Sequence, residues 1–231
     1  MIGNRELSAF ARARWSVVIA FVCSVLAMLQ YPGGTALNRT TSGYSLSQNF
    51  LSDLGMTVAY NGVGNSLGAL FFIVSLVVLV IGLGGSVVEF VKLNSTTTPA
   101  RNWSRAAAMA GLSSSLSFFG VAFTPENSAM SLHVNLTLFA FRVLPIAAIC
   151  MGIATTRSGA FPRRVAVTWA ATAVALMSYV AFLSFGPATD TFDGLRTSVI
   201  AQKVITVIVV SVLLYLSFDG DRVRRLMGKS E

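Results

Sequence analysis

Residues 63–88 read VGNSLGALFFIVSLVVLVIGLGGSVV, twenty-six consecutive positions without one charged side chain. A helix needs about 20 mostly apolar residues to cross the hydrocarbon of a bilayer, whereas a soluble helix of this length keeps a polar face. Working outward from this stretch, five more of the same kind follow at residues 15–31, 106–123, 129–154, 165–185 and 198–218. Composition agrees. The chain is 54% hydrophobic and only 11% charged, against about 25% charged residues in an ordinary soluble domain. The expected fold is all-α: a polytopic transmembrane six-helix bundle, forming a single domain over residues 1–231. The first stretch follows Arg5, Arg12 and Arg14 and resembles a secretory signal in that respect. Gln30, Tyr31 and Pro32 after it offer no small-residue cleavage pattern, so it reads as a retained helix.

The distribution of Lys and Arg orients the spans. One alternate set of flanks holds Arg5, Arg12, Arg14, Lys92, Arg101, Arg105, Arg157, Arg163, Arg164, Arg222, Arg224, Arg225 and Lys229, thirteen in all, and the other holds only Arg39 and Arg196. Lys and Arg gather in cytoplasmic loops, so both termini are expected inside, in a multi-pass protein of the cell membrane. The net charge of +8 is spread over these short flanks. It forms no basic stripe along a helix that could follow a phosphate backbone, so nucleic acid is excluded as a partner.

The longest connection, residues 32–62, falls on the outside. Within it Ser47 suits an N-cap and Gly55 a C′ position, with Phe50, Leu51 and Leu54 on one face between them. These signals predict a short helix on the outer membrane surface. Asp53 would sit near its C-terminus, where the helix dipole disfavours negative charge. A cationic partner and a solvated carboxylate are both open readings of that placement. At the second external turn, Thr124 is expected to cap the fourth helix, with Pro125 in its first position and Glu126 complementing its dipole.

Charges inside spans are costly and usually face a bundle interior or water. Arg142 lies near the middle of the fourth span. At 100° per residue it shares a face with Asn135, Ser131 and Ser128. That stripe is expected to line a pocket for an anionic group, the alternative being an arginine satisfied by helix carbonyls or a buried carboxylate. Lys203, about two turns inside the outer end of the sixth span, either reaches up to the interface or pairs with Asp53, Asp190, Asp193 or a ligand anion. His133 falls on the opposite face from Arg142 and suits a structural hydrogen bond or, less directly, a general base at the pocket rim. One histidine, with Cys23 and Cys150 both inside apolar runs, gives no metal site of ordinary ligand type, and no cofactor is expected. Gly64 and Gly68, and Ala107, Gly111 and Ser115, have the spacing that lets membrane helices approach closely.

Tyr44, the stretch Asn49-Phe50-Leu51-Ser52-Asp53-Leu54-Gly55, Asn61 and Asn65, together with Thr124-Pro125-Glu126 through His133 to Phe139, resemble the prokaryotic membrane proteins called the domain of unknown function 998 family. That family is distantly similar to the Frag, DRAM and Sfk group of six-span proteins, linked to lipid handling and membrane stress. The resemblance implies six spans and a site near Asp53 and His133, and no established reaction. Ceramidase-like membrane hydrolases use three histidines around zinc and seven spans, and this sequence departs from both. The function expected is binding of an anionic lipid headgroup or small anion in an outward-opening polar pocket, with Asp53, Asn135, Arg142 and Lys203 around the ligand and His133 at the rim. The alternatives are a metal-independent lipid-modifying enzyme using Asp53 or His133, and a structural or regulatory membrane subunit.

Overall fold

The computed structural model describes residues 7–227. Two of the basic flanking residues, Arg5 and Lys229, lie outside them. Six long helices run through the described residues: α1 (Ala9–Gln30), α2 (Ser66–Asn94), α3 (Thr98–Ala122), α4 (Glu126–Ser158), α5 (Arg163–Phe185) and α6 (Phe192–Met227). A 3-10 helix over Ser52–Gly55 lies between α1 and α2. All the long helices except α3 are long and apolar enough to cross a membrane. The fold is therefore that of a multi-pass membrane protein. α3 is less apolar because Arg101 and Arg105 stand in its first turns and Ser113, Ser114, Ser115 and Ser117 cluster further on.

Local chemistry sets the helix ends. The Ser8 hydroxyl accepts from the Ala11 amide at 3.0 Å and Thr97 from Ala100 at 3.3 Å, each satisfying an amide that the first turn leaves unpaired. α4 stops at Gly159, whose φ of 65° is left-handed, the conformation that a helix C′ residue commonly takes and glycine tolerates best. Thr124 does not cap α4. Its hydroxyl turns back and donates to the Gly120 carbonyl at 3.0 Å, so it closes α3, and Pro125 precedes α4 with no side-chain cap.

Neighbours in the chain are neighbours in space. α1 packs on α2, α2 on α3, α3 on α4, α4 on α5 and α5 on α6, while α6 returns to α1 and closes the ring. At the end carrying both termini, the Arg14 guanidinium meets the Asp221 carboxylate at 2.5 Å, with the Ser8 hydroxyl donating to the same carboxylate at 2.6 Å. Arg164 pairs with Asp219 alongside. Aromatic edges fill the interior near that end, with Phe10 against Phe90 at 5.0 Å and Phe90 against Trp169 at 6.0 Å. Large apolar side chains such as Phe21, Leu29, Ile81, Leu116 and Val207 point outward and stay exposed, as a hydrocarbon surround permits.

The opposite end carries residues 31–65, and here the structure departs from the expected surface helix. Residues 46–48 form a turn, and only the 3-10 helix Ser52–Gly55 follows, without a side-chain cap. Asn49 explains the difference. Its side chain accepts from the Ser45 amide at 2.9 Å and donates to the Gly34 carbonyl at 3.0 Å and the Asp53 carboxylate at 2.9 Å. Such side-chain bonds offer the backbone an alternative to a regular helix. Gly55 stays within the 3-10 helix instead of ending one, in a place where a Cβ would lie 2.7 Å from the Phe72 ring. Leu54 and Phe72 belong to a small apolar cluster with Ala27, Tyr31 and Ala59 that seats the segment on α1 and α2.

Candidate functional site

A cavity of about 270 Å³ lies inside the helix ring. Its lining is mostly apolar, including Leu76, Leu79 and Leu83 of α2, Phe141 and Leu144 of α4, Leu176 of α5 and Val209 and Leu213 of α6. Leu51, Ser52 and Leu54 form its roof. Along α2 the lining runs from Phe72 to Val87, which at about 1.5 Å per residue is roughly 22 Å of helix. A few polar groups interrupt the hydrocarbon. Thr137 Oγ1 and Trp169 Nε1 belong to lining residues and are buried without a hydrogen-bond partner among the described residues. Buried polar atoms are normally paired, so these two are the lining's unsatisfied groups. Gly111 also lines the cavity, and a Cβ there would meet Val87 and Ala147 at ordinary contact distances of 3.8 and 3.9 Å. A methyl group would therefore fit there without displacing either neighbour.

Polar residues converge at the roof. Asp53 is buried, 1% exposed, and one of its oxygens accepts from Asn49 Nδ2 at 2.9 Å and the Phe50 amide at 3.0 Å. Its other oxygen has no hydrogen-bond partner among the described residues. Burial pushes the carboxyl from its ordinary 3.8 up to about 7, the nearby Glu126 adds to the rise, and the two hydrogen bonds and Lys203 oppose it. Lys203 reaches up from α6 to donate to the Asn49 carbonyl at 2.5 Å, with its ammonium 5.2 Å from the centre of the Tyr44 ring. It is thus held by the loop, close enough to Asp53 to attract it but not in direct contact. Gln202, its neighbour, accepts from the Leu51 amide at 2.9 Å, and the Ser52 hydroxyl donates to Glu126 at 3.4 Å. His133 is buried beneath this cluster with Nδ1 2.6 Å from the Thr124 carbonyl. Ala129 leaves helical geometry one turn earlier (φ −137°, ψ 38°), offsetting the first turn of α4 so that the ring can reach back.

Asp53, Lys203 and His133 therefore gather at one end, joined by Asn49, Ser52, Glu126 and Gln202. Asn135 and Arg142 do not join them. Both are exposed on the outer face of α4, together with Ser128 and Ser131. Arg142 is sixteen residues from either end of α4, or about 24 Å along the axis. The inward face of α4 is instead Ala140, Phe141, Ala148 and Met151. Periodicity identified the polar stripe but could not say which way it faced, because a membrane helix can be apolar on both sides. Asn49 and Gln202 were missed. Asn49 opens the very stretch that carries the family resemblance, and Gln202 adjoins Lys203, so proximity to the chosen residues was the available signal.

The fold and this cavity define a multi-pass membrane protein with an apolar interior chamber under a polar roof. Comparison with protein-family models, curated proteins and solved structures finds no match to the chain.

Proposed function

We propose that this chain is a six-span protein of the cell membrane, with both termini in the cytoplasm, that binds a membrane lipid. The hydrocarbon part of the lipid occupies the central cavity and its polar end lies under the roof at residues 49–54. The apolar chamber carries this reading: it is long enough for an extended chain, and its roof is where the polar groups collect. Lys203 is the cation at that roof, which supports an anionic headgroup. Arg142, on the outer face, takes no part in this site. The resemblance to the domain of unknown function 998 family belongs to the same proposal. Native mass spectrometry of protein released from nanodiscs of mixed phosphatidylglycerol and phosphatidylcholine tests it. One lipid should stay bound per chain, with phosphatidylglycerol preferred, and Lys203→Gln should reduce that preference. Gly111→Phe, which fills the chamber, should lose the lipid while remaining monodisperse. Lipid retention unchanged by Gly111→Phe would refute the chamber as the site.

One observation favours a second reading, a metal-independent lipid-modifying enzyme. The Ser52 hydroxyl lines the cavity and points to Glu126, with Asp53 and His133 close by, so acid–base groups border the place where a lipid's ester linkage would lie. Turnover of a labelled phospholipid by purified protein, lost in Glu126→Gln, would support it. No product over hours would reject it.

A further inference from the structure

The outer face of α4 is unlike a lipid-facing surface. Ser131, Asn135, Phe139, Arg142, Ile146 and Ile149 are all exposed, at successive spacings of four, four, three, four and three. That is the 3–4 alternation along which a second helix packs. α4 rests on α3 and α5 inside the ring, and no other long helix of the chain packs closely enough to cover this seam. Arg142 sits on it at the midpoint of α4, and it makes no hydrogen bond or ion pair among the described residues. A cation in the hydrocarbon without a partner is expensive, and intramembrane charges normally pair.

From this we propose that the seam is a docking surface for a transmembrane helix of a different polypeptide, bearing an Asp or Glu at the depth of Arg142. Charge complementarity selects the partner. A second copy of this chain cannot supply the carboxylate. Among the described residues Asp53, Asp190 and Asp193 lie at or near the roofed end, Glu126 opens α4, and Glu89, Asp219 and Asp221 lie towards the end with the termini. Glu6 and Glu231 stand at the two ends of the sequence. A symmetric dimer along the seam would set two Arg142 side chains together with nothing to neutralise them. A lipid headgroup is also poorly placed. The hydrocarbon is about 30 Å thick, so a residue at mid-span is about 15 Å from either headgroup layer, and Cβ direction alone moves a side chain by only about a turn. The surface is independent of the cavity, so failure of one reading leaves the other standing.

The test uses full-length protein in native membranes with a photo-crosslinking residue in place of Phe139, and in place of Val174 on the outer face of α5 as a control. An adduct to a second membrane protein is expected at Phe139 and not at Val174. The crosslinked span should carry Asp or Glu within one turn of the crosslink. Arg142→Met should lower adduct yield at least tenfold, Arg142→Lys should largely keep it, and exchanging the charges between Arg142 and the partner's carboxylate should restore it. Because Arg142 makes no hydrogen bond or ion pair among the described residues, Arg142→Met should stay folded, checked by its elution profile, with Arg142→Gln as the second variant. An adduct of twice the chain's mass, adducts to lipid alone, a captured span without a carboxylate, a yield indifferent to Arg142→Met, or no adduct would each overturn the proposal.

Discussion

Replacing Asp53 with Asn should flatten the pH dependence of the fold's stability. Asp53 is 1% exposed, and burial and the neighbouring Glu126 hold its carboxyl up to about 7 from an ordinary 3.8. The sign follows from linkage. Between about 4 and 7 the folded protein keeps the proton that the unfolded chain has released, so folding binds a proton and stability falls as pH rises. The contribution is fully present below the unfolded value and lost as pH climbs through about 7. One pKa unit is about 1.4 kcal/mol, and integrating from pH 5 to pH 8 gives a loss of about 3 kcal/mol. For a chain of this size, 1 kcal/mol moves the midpoint by roughly 2–4 °C, so the apparent Tm should drop by about 6–12 °C over that interval. Asn at position 53 can still accept from Asn49 and Phe50 but does not titrate. The assay is thermal unfolding in nanodiscs at fixed scan rate from pH 5 to pH 8, taking the difference between parent and Asp53→Asn so that other titrating groups cancel. An equal slope in the two proteins, or a parent that is more stable at pH 8 than at pH 5, would refute the reasoning.

Orientation is tested by cysteines in a background lacking Cys23 and Cys150. Those at Thr40 and Thr189 should react with an impermeant reagent outside intact cells, and one at Thr97 only after lysis, so labelling of Thr97 from outside would reverse the orientation. The two ion pairs at the end with the termini should differ in weight. Asp221 has a side chain only 7% exposed, and Arg14→Met would leave it the Ser8 hydrogen bond and the more distant charge of Arg225, costing about 3 kcal/mol. The carboxylate of Asp219 is about as buried, but Arg164 is half exposed where Arg14 is not, so water screens that pair more and Arg164→Met should cost less than Arg14→Met. Thermal midpoints in the reverse order would show that burial does not govern these pairs.

Much of the helical layout was legible in the sequence because membrane hydropathy is a long-window signal. Each of the six apolar stretches falls largely within one of the long helices, although α3 is too serine-rich to qualify on hydropathy alone. The loop was harder. Ser47 and Gly55 are sound cap signals, but they compete with Asn49, whose three hydrogen bonds depend on Gly34 and Asp53 already being in place, and short-range spacing cannot express that. The central cavity was invisible for a different reason. Residues such as Leu79 and Val209 face empty space inside the ring, yet nothing in their type separates them from Ile81 or Val207, which face outward. The α4 stripe failed in direction only: Ser131, Asn135 and Arg142 do share one face, but it is the outer one. Asp53, Lys203 and His133 were brought into one neighbourhood because each lies within about three turns of the same end of its helix or in the loop above it.

Closing the ring through α1 and α6 has a consequence for biosynthesis. The contacts that hold Arg14, the Asn49 carbonyl and the Leu51 amide all come from α6, the last of the six long helices to be synthesised. Until it arrives, Arg14 and the roof lack these polar partners, although the roof is already seated on α1 and α2. The ring is thus completed by its sixth helix, rather than built up in order from the first. A product truncated before α6 would retain α1 to α5 and still expose an arginine without its carboxylate and a roof without its α6 fastenings, the features by which an unfinished ring differs from a finished one.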